Sequence, residues 1–277
     1  MRESNSRKAV ATACSVATSR LVLGGFPLLA ISSWSIAAEQ TQDKKLKTEL
    51  VASFCITNPQ FTSSLTLSNH TGKNVSAIVH RNSLPGEEVG RTTLKIPAHR
   101  TVTISLDSLY SPGHEFGTVG PVFVSVKKSF RNRIDGELVI TSRENSRLRV
   151  TQPLQRWGST SGTSLQARIP ASLSVPVLAT LNAAPVSQHV SLLCTEEGGQ
   201  HYESDFNIPA NLTFLANACI TGRSQSRKYD QLLSGDPGPL RKSSVVDVKS
   251  QIPGSLYVWG FSAEAQTGVV GIEFSTK

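Results

Sequence analysis

Short runs in which every second residue is apolar recur along this chain between turn signals, and a period of two admits strands with one buried face. The clearest run is Thr101 to Leu106, where Val102, Ile104 and Leu106 alternate with Thr101, Thr103 and Ser105. Ser64–Leu67, Val75–Val79, Val122–Val126 and Leu138–Ile140 repeat the signature. Turn residues separate them at His70-Thr71-Gly72-Lys73-Asn74, Leu84-Pro85-Gly86, Ser111-Pro112-Gly113 and Ile134-Asp135-Gly136. After residue 38 no stretch carries a helical stripe, and the many Ser, Thr and Val residues suit a pleated surface. The fold class expected is all-β.

The beginning of the chain reads differently. Arg2, Arg7, Lys8 and Arg20 precede an apolar run from Leu21 to Ile36, and small residues at Ser35, Ala37 and Ala38 come just before Glu39. That order reads as a secretory signal peptide over residues 1–38, with cleavage expected after Ala37 or Ala38 and an uncleaved membrane anchor as the alternative. It places the mature chain in the bacterial periplasm or outside the cell. Cys14 lies upstream of the apolar run, where a lipoprotein cysteine does not sit, and no later stretch is long or apolar enough to span a bilayer as a helix.

The chain has 277 residues, with 28 Lys and Arg against 20 Asp and Glu. Removing residues 1–38 takes away four basic residues and one acidic one, which leaves 24 minus 19, or +5. That mild excess suits an anionic glycan, a lipid headgroup or an acidic envelope protein, and it does not call for nucleic acid. It is concentrated between Lys127 and Arg168, where nine basic residues face Asp135, Glu137 and Glu144. Lys127, Lys128, Arg131, Arg133, Arg147 and Arg149 are the candidate binding strip. Strand alternation sends Arg147 and Arg149 outward while Leu148 and Val150 face the core, and such exposed charges contribute little to folding.

A pattern appears twice. SSLTLSN, a turn and a strand precede Lys95-Ile96-Pro97-Ala98, RTVTISL, PVFVSVKK and GELVIT; later HVSLLCT, EEGGQ and HYESDF precede Asn207-Ile208-Pro209-Ala210, NLTFLANACI, GSLYVWGFS and GVVGIEFS. Proline fixes φ and removes a donor, so it marks where the chain leaves one ladder before joining the next. Two copies of about 110 residues fit a pair of sandwiches. The expected organisation is a flexible tether at 39–49, a first β-sandwich at 50–151, a linker at 152–163 with Trp157 packed at the junction, and a second sandwich at 164–277. The polar segment from Gly222 to Ser244 is a long loop of either functional or mobile character.

This order of strand, Asn-containing turn, strand, Ile-Pro-Ala, strand and closing Gly-led strand pair resembles the immunoglobulin-like or fibronectin-like repeats of secreted bacterial surface proteins, over most of residues 50–277. The resemblance implies tandem antiparallel β-sandwiches. The Cys, Trp and Cys spacing of true immunoglobulin domains is absent. The two-module size is also similar to periplasmic pilus-assembly chaperones.

Catalytic signals are weak. Gly158-Ser159-Thr160-Ser161-Gly162 puts Thr, not Ser, at the centre of what a nucleophile elbow requires. There is no HExxH and no paired CxxC, although His70 and His80 flank one expected hairpin. Glu87-Glu88 and Glu196-Glu197 sit in expected turns, where solvated charge is ordinary. Neither a cofactor nor a metal is expected. Of the three cysteines beyond the signal, Cys194 and Cys219 end two strands of one module and are expected to pair, leaving Cys55 as a buried thiol. The reading is a non-enzymatic envelope protein acting as a binding or structural module. A pilus-type chaperone is the alternative, and an unrecognised hydrolase a weaker one.

Overall fold

The computed structural model describes residues 46–84, 86–109, 118–144, 149–159, 162–171, 177–219, 242–264 and 268–276. The segment expected to be a signal peptide, Arg147 and most of the expected 222–244 loop lie outside the described residues. Two antiparallel β-sandwiches account for the rest, and both belong to one compact unit spanning residues 42–277. Among the described residues helix is confined to two 3-10 turns, and no helix is long and apolar enough to cross a membrane.

The first sandwich comprises β1 (Leu46–Thr57), β2 (Phe61–Asn69), β3 (Val75–Asn82), β4 (Glu88–Ile96), β5 (Thr101–Ser105), β6 (Thr118–Lys127), β7 (Ile134–Ser142), β8 (Arg149–Pro153) and β9 (Gln155–Arg156). One sheet has the order β4-β3-β6-β1-β9 and the other β5-β2-β7-β8. The alternation seen in the sequence is the cause. Phe61, Ser63, Leu65, Leu67 and Asn69 of β2 point inward while the residues between them are half-buried, and Val122, Val124 and Val126 line the core from β6.

The second sandwich comprises β10 (Ser164–Ile169), β11 (Val177–Asn182), β12 (Gln188–Glu196), β13 (His201–Ile208), β14 (Thr213–Asn217), β15 (Ser244–Ser250), β16 (Leu256–Glu264), β17 (Gly268–Glu273) and β18 (Ser275–Thr276). Its sheets run β13-β12-β15-β10-β18 and β14-β11-β16-β17. Each strand therefore has a counterpart nine places earlier, in the same position of the same sheet. Cys194 and Cys219 form a disulfide, and Cys55 is free and buried.

The internal repeat is real, but its register differs from that in the sequence reading. SSLTLSN belongs to β2, whose counterpart is β11 and not the β12 segment HVSLLCT. The residue that fixes the match is an asparagine. Asn69 Nδ2 donates to the carbonyls of Lys73, Ile96 and Pro97 at 2.8, 3.1 and 2.9 Å. Asn182 Nδ2 donates to those of Val186, Ile208 and Pro209 at 2.9, 2.9 and 3.0 Å. The repeated Ile-Pro thus supplies two carbonyl acceptors to a buried amide in both sandwiches. His99 and Asn211, three residues after those isoleucines, both adopt left-handed φ, at 54° and 59°.

Two expected connections are structured. Leu46, Lys47, Thr48 and Glu49 belong to β1 and not to a tether, with Leu46 paired to Lys127. Within 152–163, Gln152 and Pro153 end β8, while Gln155 and Arg156 pair with Val51 and Leu50. Trp157 stacks on Tyr257, with ring centroids 5.3 Å apart, and meets Phe123 edge-on. An irregularity in β1 between Ala52 and Cys55 breaks the period of two, so that Phe54 joins Trp259 and Phe261 of β16 while Cys55 turns into its own core. Thr213 of β14 donates to the Ser53 carbonyl across the same seam, at 3.0 Å. At Gly271 a Cβ would lie 3.3 Å from the Thr151 carbonyl, a close approach of β17 to β8 that suits glycine.

Candidate functional site

Three turns meet at the end of the first sandwich where Asn69 sits: 70–74 after β2, 97–100 after β4, and 128–133 after β6. Backbone hydrogen bonds lock them together. The His70 N–H donates to the Arg133 carbonyl (3.1 Å), His99 to Thr71 (3.1 Å) and Asn69 to Arg100 (2.9 Å). Asn69 Oδ1 accepts from the Thr71 N–H and hydroxyl at 2.9 and 2.8 Å, which shapes the first turn.

The third turn is pinned from beneath by Glu49, whose side chain is 2% exposed. Its carboxylate accepts from Arg131 Nε (3.0 Å), the Asn132 N–H (2.6 Å) and Arg156 Nη1 (2.8 Å). Arg156 also bonds Asp135, which accepts from His70 Nε2 at 3.0 Å. Asn132 is left-handed, with φ 59°, a conformation asparagine tolerates better than most residues. A buried carboxylate with three donors is charge-satisfied. Glu49 thus pairs with both Arg131 and Arg156 and ties Arg131, which stays 38% exposed, to the fold.

Beside this scaffold lies a pocket of about 360 Å³, lined by Thr71, Gly72, Lys73, Ser129, Phe130 and Arg133. Phe130 packs against the core and is half-buried, so part of its ring is open to the pocket. Lys73 and Arg133 are exposed, as are Lys128 and Arg100 on the same turns and Lys127 at the end of β6. None of these five cations has an acidic partner among the described residues.

The expected strip is therefore brought together only in part. Lys127, Lys128 and Arg133 belong to this end of the sandwich. Arg149 is exposed as its alternation with buried Val150 implies, but it pairs with Thr141, seven residues along β7 from Ile134. That is about 23 Å from the Arg133 turn at the rise of a strand, so Arg149 is not contiguous with the others. Lys73 and Arg100 were missed. Each sits in a short turn after a different strand, and only the topology shows that those turns adjoin 128–133.

Of the two histidines that flank the expected hairpin, His70 bonds Asp135, and His80 stacks on Phe123 with centroids 5.0 Å apart. Among the described residues no three His, Cys, Asp or Glu side chains come together as a metal ion requires. Buried Arg81 donates from Nη1 to Thr57 Oγ1 and the Leu106 carbonyl at 3.0 and 3.2 Å. Burial pushes the neighbouring Cys55 thiol above its ordinary range, and Arg81 only partly offsets this.

No protein-family model matches the chain, and no curated protein matches it. A calcium binding mutant of Bacteroides uniformis beta-glucuronidase 2 is similar to it in structure, at 9% identity over 80% of this chain with a TM-score of 0.17. The chain covers 26% of that protein, and a likeness at that score carries no weight for fold or activity.

Proposed function

We propose that this is an exported, non-enzymatic envelope protein whose first sandwich binds an anionic polymer through the three turns at its Asn69 end. The observation that carries the reading is the contrast between the two copies of that corner. The first has Lys73, Arg100, Lys128, Arg131 and Arg133, two histidines and no acid in its turns. The second builds the same corner on Asn182 from Ala183-Ala184-Pro185-Val186-Ser187, Pro209-Ala210-Asn211-Leu212 and Gln251-Ile252-Pro253-Gly254-Ser255, without one charged residue. Lys73 corresponds to Val186, since their carbonyls accept from the equivalent amides. Arg133 corresponds to Ser255, since their carbonyls accept from His70 and Ala183. The fold thus forms this corner without cations. Four unpaired ones gathered there repel one another, and an anionic partner offsets that repulsion.

Export rests on the order of basic, apolar and small residues at the beginning of the chain, and the Cys194–Cys219 disulfide fits an oxidising compartment. The test is retention of the mature protein on an immobilised anionic polysaccharide across a salt series. Retention that falls steeply with salt is expected, with most of it lost when Lys73, Lys128 and Arg133 are replaced by Ser. Equal retention of wild type and triple variant at every salt concentration sinks the reading.

A further inference from the structure

We infer that the unit seated in the pocket is an acidic sugar, a carboxylated or sulfated pyranose within a polysaccharide. This rests on the anion-binding reading and specifies its ligand. At about 360 Å³ the pocket stands at the small end of the ~300–1,000 Å³ range of small-molecule sites, so it admits a ring-sized unit and not a folded partner. Its walls carry three kinds of group. Lys73 and Arg133 stand on different turns and converge on one space, and the guanidinium fork of Arg133 matches a carboxylate or sulfate. Ser129 adds an exposed hydroxyl, which suits a ring hydroxyl. Phe130, its inner side held by the core, presents an aromatic surface to the pocket.

That aromatic surface decides between anions. A pyranose has an apolar C–H face that covers a ring, whereas a bare phosphate chain gains nothing from one. A membrane surface fits poorly. Insertion needs exposed apolar side chains, and the large hydrophobic residue exposed among the described residues is Val186, on the second sandwich. The pocket is also preorganised. Asn69 fixes the turn that carries Lys73, and Glu49 fixes the turn that carries Phe130 and Arg133, so little loop ordering opposes binding.

The experiment is calorimetric titration of the mature protein with oligogalacturonate, a heparin-derived oligosaccharide, neutral maltohexaose, inorganic polyphosphate, and vesicles containing anionic phospholipid. At least one acidic oligosaccharide is expected to bind about tenfold more tightly than polyphosphate, with maltohexaose silent. Phe130→Leu keeps apolar volume against the core but removes the aromatic surface. It is expected to weaken the acidic oligosaccharide about tenfold and leave polyphosphate unchanged, with an unaltered melting temperature as the control for folding. Arg133→Ser is expected to weaken both. Polyphosphate or vesicles binding as tightly as the sugars, or Phe130→Leu weakening neither, overturns the sugar assignment while leaving anion binding intact. No binding of any anionic probe at low salt overturns both.

Discussion

Phe54 of β1 stacks on Trp259 of β16, with ring centroids 6.3 Å apart and planes 22° from parallel, so a residue of the first sandwich completes its packing on the second. Phe261 closes on the same ring at 5.1 Å, and all three are at most 2% exposed. Two sandwiches that share an aromatic cluster lose most of it together. The mature protein is expected to unfold in urea as one transition by both tryptophan fluorescence and circular dichroism. Phe54→Ala removes the contact and leaves a cavity, costing about 3–5 kcal/mol, and is expected to separate the two probes into distinct midpoints. Coincident midpoints in the variant would mean the sandwiches are coupled by something other than this cluster.

The two corner asparagines give a paired prediction. Replacing either by Ala leaves three carbonyls without their common donor in a buried setting, a loss of about 3 kcal/mol. Asn69→Ala and Asn182→Ala are expected to cost similar amounts, because the donor sets match bond for bond. Replacement by Asp is expected to cost more than Ala in both places, since a carboxylate then faces carbonyl oxygens. Urea unfolding of the four variants checks this, and a large cost at one asparagine with none at the other would dissolve the equivalence.

Much of the architecture was legible because burial of one sheet face imposes alternation that a single strand displays. Val102 and Ile104, or Val122, Val124 and Val126, reveal their strand without any knowledge of partners. The repeat was visible through Ile-Pro-Ala but slipped by one strand, because SSLTLSN and HVSLLCT share the alternation common to all strands here. What distinguishes β2 from β12 is one side chain, Asn69, whose acceptors lie 27 and 28 residues away at Ile96 and Pro97. Glu49 failed for the same reason. In sequence it belongs to a charged, aperiodic segment, and its partners Arg131 and Arg156 are 82 and 107 residues distant. A buried charge reads as polar until its partners are known.

Glu49 accordingly divides the basic residues into two classes. Glu49→Gln keeps the shape but removes the charge that three donors share, and is expected to cost about 2 kcal/mol or more. Arg131→Ser is expected to cost about 1 kcal/mol, because Arg156 still holds the carboxylate and Arg131 is 38% exposed. Lys127→Ser, Lys128→Ser and Arg149→Ser are expected to stay within about 0.5 kcal/mol of wild type. Thermal melts of the five variants suffice, and Arg131→Ser as neutral as Lys127→Ser would show that the ion pair contributes nothing.

Cys55 supplies the last prediction, and its sign follows from its surroundings. Burial raises the thiol pKa first of all; the guanidinium of Arg81 and a hydrogen bond with Ser63 pull it back only partly. The folded protein therefore keeps its proton to a higher pH than the unfolded chain, which releases it near pH 8.5. Where the unfolded chain alone has lost the proton it binds fewer protons than the native state, so stability falls as pH rises. The contribution is complete below about pH 8.5, shrinks above it, and is gone once pH passes the folded value. Cys55→Ala is expected to cost about 1 kcal/mol at pH 7 by removing a buried group and to lose stability less steeply than wild type between pH 8 and 10. Urea midpoints taken within minutes of mixing, before the released thiolate exchanges with the Cys194–Cys219 bridge, give both slopes. The same burial predicts that iodoacetamide at pH 9 leaves native Cys55 untouched and alkylates it fully once urea unfolds the chain. Parallel slopes together with rapid alkylation of the native protein would place the thiol in contact with solvent and refute this account.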